Sequence, residues 1–305
     1  EPTLHPRLPH LLAGLKEQGV RRIALRSNGA WAARSAPVAF LKKKGLGEVT
    51  LLFPTHDPEQ FDRLVRKTGA FEAVMKGVAN LVENKVRISL RIPLIQPTLD
   101  ALPEIIPAVA ALVPSARRID LVHLDIKDPA LQVRIEDINR VLPHGSDHPW
   151  EGVPELLLDP GAGVALCRRD ELAAWRITPD DPTARGHKPA GCGGCYLKNS
   201  CPGVLRGTVD VFGEDAVVRP YTLGFEPERA VARPERGGEP RPDQHFESVK
   251  GVTYECPEDG SGEATIASVR LRVGHKCNRR CTFCFIPHHE KAVHDHDIRA
   301  SIQAA

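Results

Sequence analysis

The sequence predicts an α/β fold, a parallel sheet with helices outside, followed by an irregular cysteine-rich extension. Three observations lead there. Helix-like and strand-like segments alternate over residues 1–126 in units of about 25–35 residues, the length that one strand and its crossover helix need. The longest apolar stretches are strand-sized, and short punctuation separates them. All eight cysteines fall after residue 166, which sets the second part of the chain apart.

The elements follow in order. Leu8 to Gln18 has helical spacing and ends at Gly19, a natural C-cap. Arg22 to Arg26 is a short strand closed by Ser27-Asn28-Gly29, and Ser35 to Lys44 is the next helix, stopped by Gly45. Val49 to Phe53 reads as a buried strand ended by Pro54. Phe71 to Glu83 is a helix with apolar positions at Phe71, Val74, Met75, Val78 and Leu81. Val86 to Ile95 is a strand, Leu102 to Val113 a helix, Ile119 to Ile126 a strand and Gln132 to Val141 a helix. Right-handed crossovers turn such units into an open doubly wound sheet or a partial (βα) barrel. Both place ligands at the carboxyl ends of the strands, here Ser27, Asn28, Pro54, Thr55, His56, Gln96, Lys127 and Asp128. Turn chemistry is the simplest role of each.

Beyond residue 142 the pattern loosens. Trp150 to Asp159 and Val164 to Trp175 read as a strand and a helix, and residues 143–225 form the cysteine-rich extension. Residues 226–262 are a linker: Glu226 to Gln244 carries four prolines, paired glycines and alternating charges, with almost nothing to bury. A fresh unit starts at 263–305 with the strand-like run Ala264 to Val273. The chain opens on Glu1 and closes at Ala305 inside a helical pattern from Asp297, so a piece of a longer protein is expected.

Composition excludes several classes. The 305 residues carry 41 Lys+Arg against 39 Asp+Glu, a near-neutral balance that gives no reason to expect a nucleic-acid partner. Hydrophobic residues at 41% argue against global disorder. No run approaches the roughly 18 apolar residues of a membrane helix. A cytoplasmic protein is expected, and in such a chain clustered cysteines point to metal or redox chemistry rather than disulfides.

The sharpest pattern is Cys277-Asn278-Arg279-Arg280-Cys281-Thr282-Phe283-Cys284. Three thiolates on one loop after a strand can face one four-iron cluster and leave one iron without a protein donor, open to a ligand. A zinc site with His275 or His288 as fourth ligand competes, although zinc ligands usually come as two short hooks. The second group is Cys192-Gly193-Gly194-Cys195, then Cys201-Pro202-Gly203, with Cys167 the best candidate for a fourth ligand. His288 to His296 invites a metal reading too. His289 and His294 are five apart and point to different faces of a helix, so a solvated stretch is the simpler view.

The Cys277–Cys284 loop, with the aromatic Phe283 before its last cysteine, resembles the signature loop of the radical SAM superfamily. The opening Glu1-Pro2-Thr3, the strand ending Arg26-Ser27-Asn28-Gly29, Phe61-Asp62-Arg63-Leu64 and Thr68-Gly69-Ala70-Phe71 resemble, in order and spacing, the middle of that family's partial barrel. The resemblance implies a [4Fe-4S] cluster on Cys277, Cys281 and Cys284. It also implies S-adenosylmethionine held by Glu1 and Asn28 and by Phe283, cleaved reductively to a 5′-deoxyadenosyl radical. Cys192, Cys195, Cys201 and Cys167 resemble SPASM-like extensions that hold an auxiliary iron–sulfur cluster. An electron donor such as a flavodoxin or ferredoxin, and a substrate that some relatives take from peptides, are further implications. Leu52 departs from the family where many relatives carry a ribose-contacting serine, with Thr50 and Thr55 nearby. Gly237-Gly238-Glu239 sits in the linker without a preceding strand and is read as a decoy.

In that family the cluster loop precedes the glutamate, whereas here it follows by about 275 residues. Two radical SAM domains in tandem are expected: the first at 1–142 without its cluster loop, the second begun at 263–305. A single permuted enzyme is the alternative, with loop 277–284 completing the first sheet. Two other classes use the same residues: a zinc-stabilised binding protein, and a degenerate barrel without catalysis.

Overall fold

A computed structural model of the chain describes residues 1–159, 165, 167, 173–176, 186–199, 201–219, 252–255, 268–271 and 281. The Pro-rich linker, Phe283, Cys277, Cys284, the histidine run 288–296, the closing helix 297–305 and most of the expected helix 164–175 lie outside them.

Five parallel strands form the main sheet: β1 (Ile23–Ser27), β2 (Leu46–Leu52), β3 (Arg87–Leu94), β4 (Ala116–His123) and β5 (Glu155–Asp159). Each strand pairs with the next in sequence, β1-β2-β3-β4-β5. A doubly wound sheet reverses its order at a switch point. This sheet does not, and its order is that of a partial (βα) barrel.

Helices α1 (Leu8–Glu17), α2 (Ser35–Lys43), α3 (Pro58–Val65), α4 (Ala70–Glu83), α5 (Gln96–Leu99), α6 (Leu102–Leu112) and α7 (Ile135–Val141) fill the connections. Their buried residues, among them Leu12, Val38, Val65, Val78, Leu81, Ile106 and Ile138, join Leu25, Val49, Leu51, Ile88, Leu90, Ile92, Ile119, Leu121 and Leu158 in one core. These strand positions are every second residue, so a single face of the sheet takes the apolar load.

Local chemistry explains why α3 and α4 meet at a sharp turn. Asp57 caps α3 by accepting from Gln60 N–H. The Asp62 carboxylate accepts from the N–H groups of Gly69 and, at 2.9 Å, Phe71, closing the start of α4. Phe53, Phe61 and Phe71 then stack edge to face, with centroids 5.4, 5.6 and 6.0 Å apart. Helix α4 also passes close to the turn after β1: a Cβ on Gly77 would lie 3.1 Å from both Ala32 Cβ and Gly29 O.

The expected strand 264–273 appears as β7 (Ser268–Leu271), paired antiparallel with β6 (Val252–Glu255) in a separate two-stranded sheet. In the extension, α8 (Arg206–Phe212) and α9 (Glu214–Val217) follow the cysteine group.

Candidate functional site at the carboxyl ends of the strands

Residue Glu1 begins a 3-10 turn, Pro2–Leu4, and folds its carboxylate onto the end of β1. One oxygen accepts from Thr3 Oγ1 at 2.6 Å and Ser27 Oγ at 2.9 Å; the other accepts from the backbone N–H of Asn28 at 2.8 Å. Ser27 Oγ in turn accepts from Gly29 N–H and from the Trp31 indole N–H, both at 3.0 Å. Ser27 and Asn28 are buried, and Asn28 Oδ1 accepts from Ala30 N–H at 3.1 Å. A positive φ of 79° at Gly29 lets the chain turn there. Glu1 and Asn28, separately assigned to one cofactor, therefore share one cradle. Trp31 belongs to it as well, and only the turn sequence Ser-Asn-Gly pointed toward it.

Beyond β2, Thr55 is fully buried, and His56 Nδ1 is enclosed with no hydrogen-bond partner. A second, smaller apolar cluster caps this end of the sheet: Leu64, Ile95, Val122, Leu124 and Ile126, with Leu52 and Leu131 against it. Cys281, from the far end of the chain, packs half-buried on this cluster and on the main core. Of the three loop thiols expected to bind a cluster, it is the one among the described residues, and it sits on the sheet that carries Glu1.

The face of the sheet opposite the helices is polar. Thr50 and Ser89 are buried there in register, and Ser89 Oγ donates to Glu48 at 2.8 Å. Arg87 lies opposite Glu48, 3.7 Å away. Arg118 grips both oxygens of Asp120, with Nε 2.8 Å from one and Nη2 3.2 Å from the other. Arg91 Nη2 meets Asp159 at 2.9 Å. Asp120 is 2% exposed, and burial raises its pKa above the usual carboxylate value while Arg118 and Arg91 pull it back. Parallel sheets are ordinarily apolar on both faces, and this ladder of ion pairs departs from that pattern. The sequence signal was available: Arg87, Ser89 and Arg91 alternate with Ile88, Leu90 and Ile92.

In the extension, Cys167, Cys192, Cys195 and Cys201 line one cavity with Ala165 and Leu197. Among the described residues no three Cys, His, Asp or Glu donors are already gathered as a metal site. Burial first, then the neighbouring thiols of Cys167, Cys195 and Cys201, raises the Cys192 pKa. Four cysteine sulfurs on one cavity wall are a donor set that fits a metal or an iron–sulfur cluster.

The extension is tied to the sheet. His123, buried at the end of β4, has Nε2 2.8 Å from Val133 O, and burial lowers its pKa. Gln132 Oε1 accepts from Ile126 N–H at 3.0 Å, and Gln132 Nε2 donates to Thr208 Oγ1 on α8. Gly207 N–H meets Asp125, and Lys127 pairs with Asp210 at 3.2 Å. Among the described residues no helix is long and apolar enough to cross a membrane.

No family model matches the chain. Two curated proteins do, each a probable GTP 3′,8-cyclase from a strain of Methanococcus maripaludis, at 32% and 31% identity over 83 residues. The match covers 27% of this chain and 27% of each cyclase. At that partial level, the comparison supports the radical SAM superfamily.

Proposed function

We propose that the chain is part of a radical SAM iron–sulfur enzyme that modifies a substrate such as a peptide, with electrons from a flavodoxin or ferredoxin. In that chemistry a reduced [4Fe-4S] cluster cleaves S-adenosylmethionine and supplies a 5′-deoxyadenosyl radical. Cys277, Cys281 and Cys284 would hold the cluster. The Glu1 carboxylate, preorganised by Ser27 and the Asn28 N–H, would accept a hydrogen bond from the cofactor's amino group. Phe283 would shield it, and the cavity of Cys167, Cys192, Cys195 and Cys201 would hold an auxiliary cluster. The observation that carries this reading is the seat of Cys281 at the ligand-binding end of a consecutive parallel sheet.

The division into 1–142, 143–225, 226–262 and 263–305 belongs to the same proposal. With it goes the expectation of tandem domains, in which Cys281 and Glu1 serve different sites. The packing of Cys281 on the first sheet favours a second reading, in which loop 277–284 completes that sheet's own site.

Iron, sulfide and zinc content after anaerobic reconstitution tests the reading, on the chain and on Cys281→Ala. About eight irons falling to about four supports two clusters, one of them on the loop. Stoichiometric zinc without iron overturns it in favour of a structural-metal protein. Electron paramagnetic resonance with S-adenosylmethionine then separates one site from two. If Glu1→Gln weakens the cofactor-induced spectral shift, Glu1 and Cys281 act together; an unchanged shift assigns them to separate sites.

A further inference from the structure

The polar face of the sheet carries three arginine–carboxylate pairs, with Arg26 and Glu155 on the same face, so it is close to neutral. An ion of one sign gains little long-range attraction from such a surface. A ligand gains there by exchanging partners. Its anion takes a guanidinium, and its cation takes the carboxylate released.

The pairs differ in burial and in where they lie along the strands. Asp120 is almost fully buried and accepts from Arg118 Nη2 at one oxygen, and Glu48 is shared between Arg87 and Ser89. Arg91 holds Asp159 through Nη2. The Nε atoms of Arg87, Arg91 and Arg118 are all buried with no hydrogen-bond partner, so it is position at the carboxyl ends of the strands that sets the Arg91–Asp159 pair apart. The two side chains are 22% and 17% exposed, so a ligand reaches them. Asp159 is the last residue of β5, and in register Arg91 lies beside Leu52, the last residue of β2. Val122 is the partner of Asp159. Leu52 and Val122 belong to the apolar cluster on which Cys281 packs.

We propose that the Arg91–Asp159 pair is a binding site for the zwitterionic end of an amino acid or short peptide substrate, its carboxylate taking Arg91 and its ammonium Asp159. The inference names the substrate class of the proposed enzyme and rests on that reading for the role of Cys281. The methionine part of S-adenosylmethionine has the same zwitterionic chemistry, and the experiment distinguishes the two sources.

Arginine Nε–H resonances of the isotope-labelled, reconstituted chain would be followed during titration with glycylglycine, N-acetylglycine (carboxylate alone) and S-adenosylmethionine. The Arg91 signal is expected to move with glycylglycine, which binds about tenfold tighter than N-acetylglycine. Arg91→Met abolishes the response and Arg91→Lys retains part of it. Asp159→Asn brings the two ligands to within about twofold. Arg140→Ala, at an exposed pair with Asp100, changes nothing. Equal binding of the two probes, full binding by Arg91→Met, or displacement of glycylglycine by S-adenosylmethionine overturns the assignment. Metal content on the same samples separates the two claims. Zinc with the Arg91 response intact removes the radical reading alone, and iron loading without the response removes this one alone.

Discussion

The amide of Gln132 donates to the hydroxyl of Thr208 at 2.8 Å, across 76 residues of sequence and with both groups buried. One end of this contact lies in the loop after β4 and the other on α8, just beyond the cysteine group. The contact fixes the four-thiol cavity relative to the mouth of the sheet.

Thr208→Val removes the acceptor and leaves the buried Gln132 amide short of a partner. It is expected to cost about 1–3 kcal/mol in urea denaturation. Gly207→Ala is expected to do more. A Cβ there would lie 2.3 Å from Ile126 O, so α8 must lift from the sheet, and the loss of its docking is read as faster proteolysis of the extension.

The Ser27 hydroxyl serves three groups at once, so Ser27→Ala strands the Gly29 N–H and the Trp31 indole N–H. A loss of about 1–3 kcal/mol is expected, together with a red-shifted tryptophan emission as the indole loosens. Ser27→Thr, which keeps the hydroxyl, is expected to recover most of it.

Stability carries a pH signature from His123. Burial holds its pKa below the ordinary histidine value, so on acidification the unfolded chain takes up the proton first. The contribution is complete above about pH 6.5 and is lost progressively as pH falls from there toward the folded value. Thermal unfolding of the chain and of His123→Gln from pH 8 to 5 checks it: the difference between their midpoints should shrink or reverse toward acid.

Asp62→Ala removes the carboxylate that closes the start of α4 and is expected to cost about 0.5–2 kcal/mol. Asp62→Asn keeps an acceptor oxygen and should fall between. Hydrogen exchange at Gly69 and Phe71 reads the effect at the site itself.

Much of the sheet was legible because its strands are short apolar runs and its helices carry spaced leucines and valines. Val49 to Leu51, Phe71 to Leu81 and Leu102 to Val109 stand where periodicity placed them. Helix α3 was harder to see. It is 8 residues long, just over two turns, and only Phe61, Leu64 and Val65 are buried among charges. Glu1 and Asn28 were found through resemblance, yet the contact between them depends on a 3-10 turn that no sequence period announces. The ion pairs were missed for a different reason. Arg118 and Asp120 stand two apart on β4, but Arg87 meets Glu48 from the neighbouring β2 and Arg91 reaches across β4 to Asp159 on β5, partners that only the sheet order brings together.

The two faces of the sheet carry different physical loads. Val49, Leu51, Ile88, Leu90, Ile119 and Leu121 supply the burial that makes the chain fold, and all of them lie under the helices. Glu48, Arg87, Arg91 and Asp159 contribute little to that burial. Charge pairs can therefore be rewritten two residues at a time while the architecture stands. Such a scaffold can change what it binds without first having to become more stable.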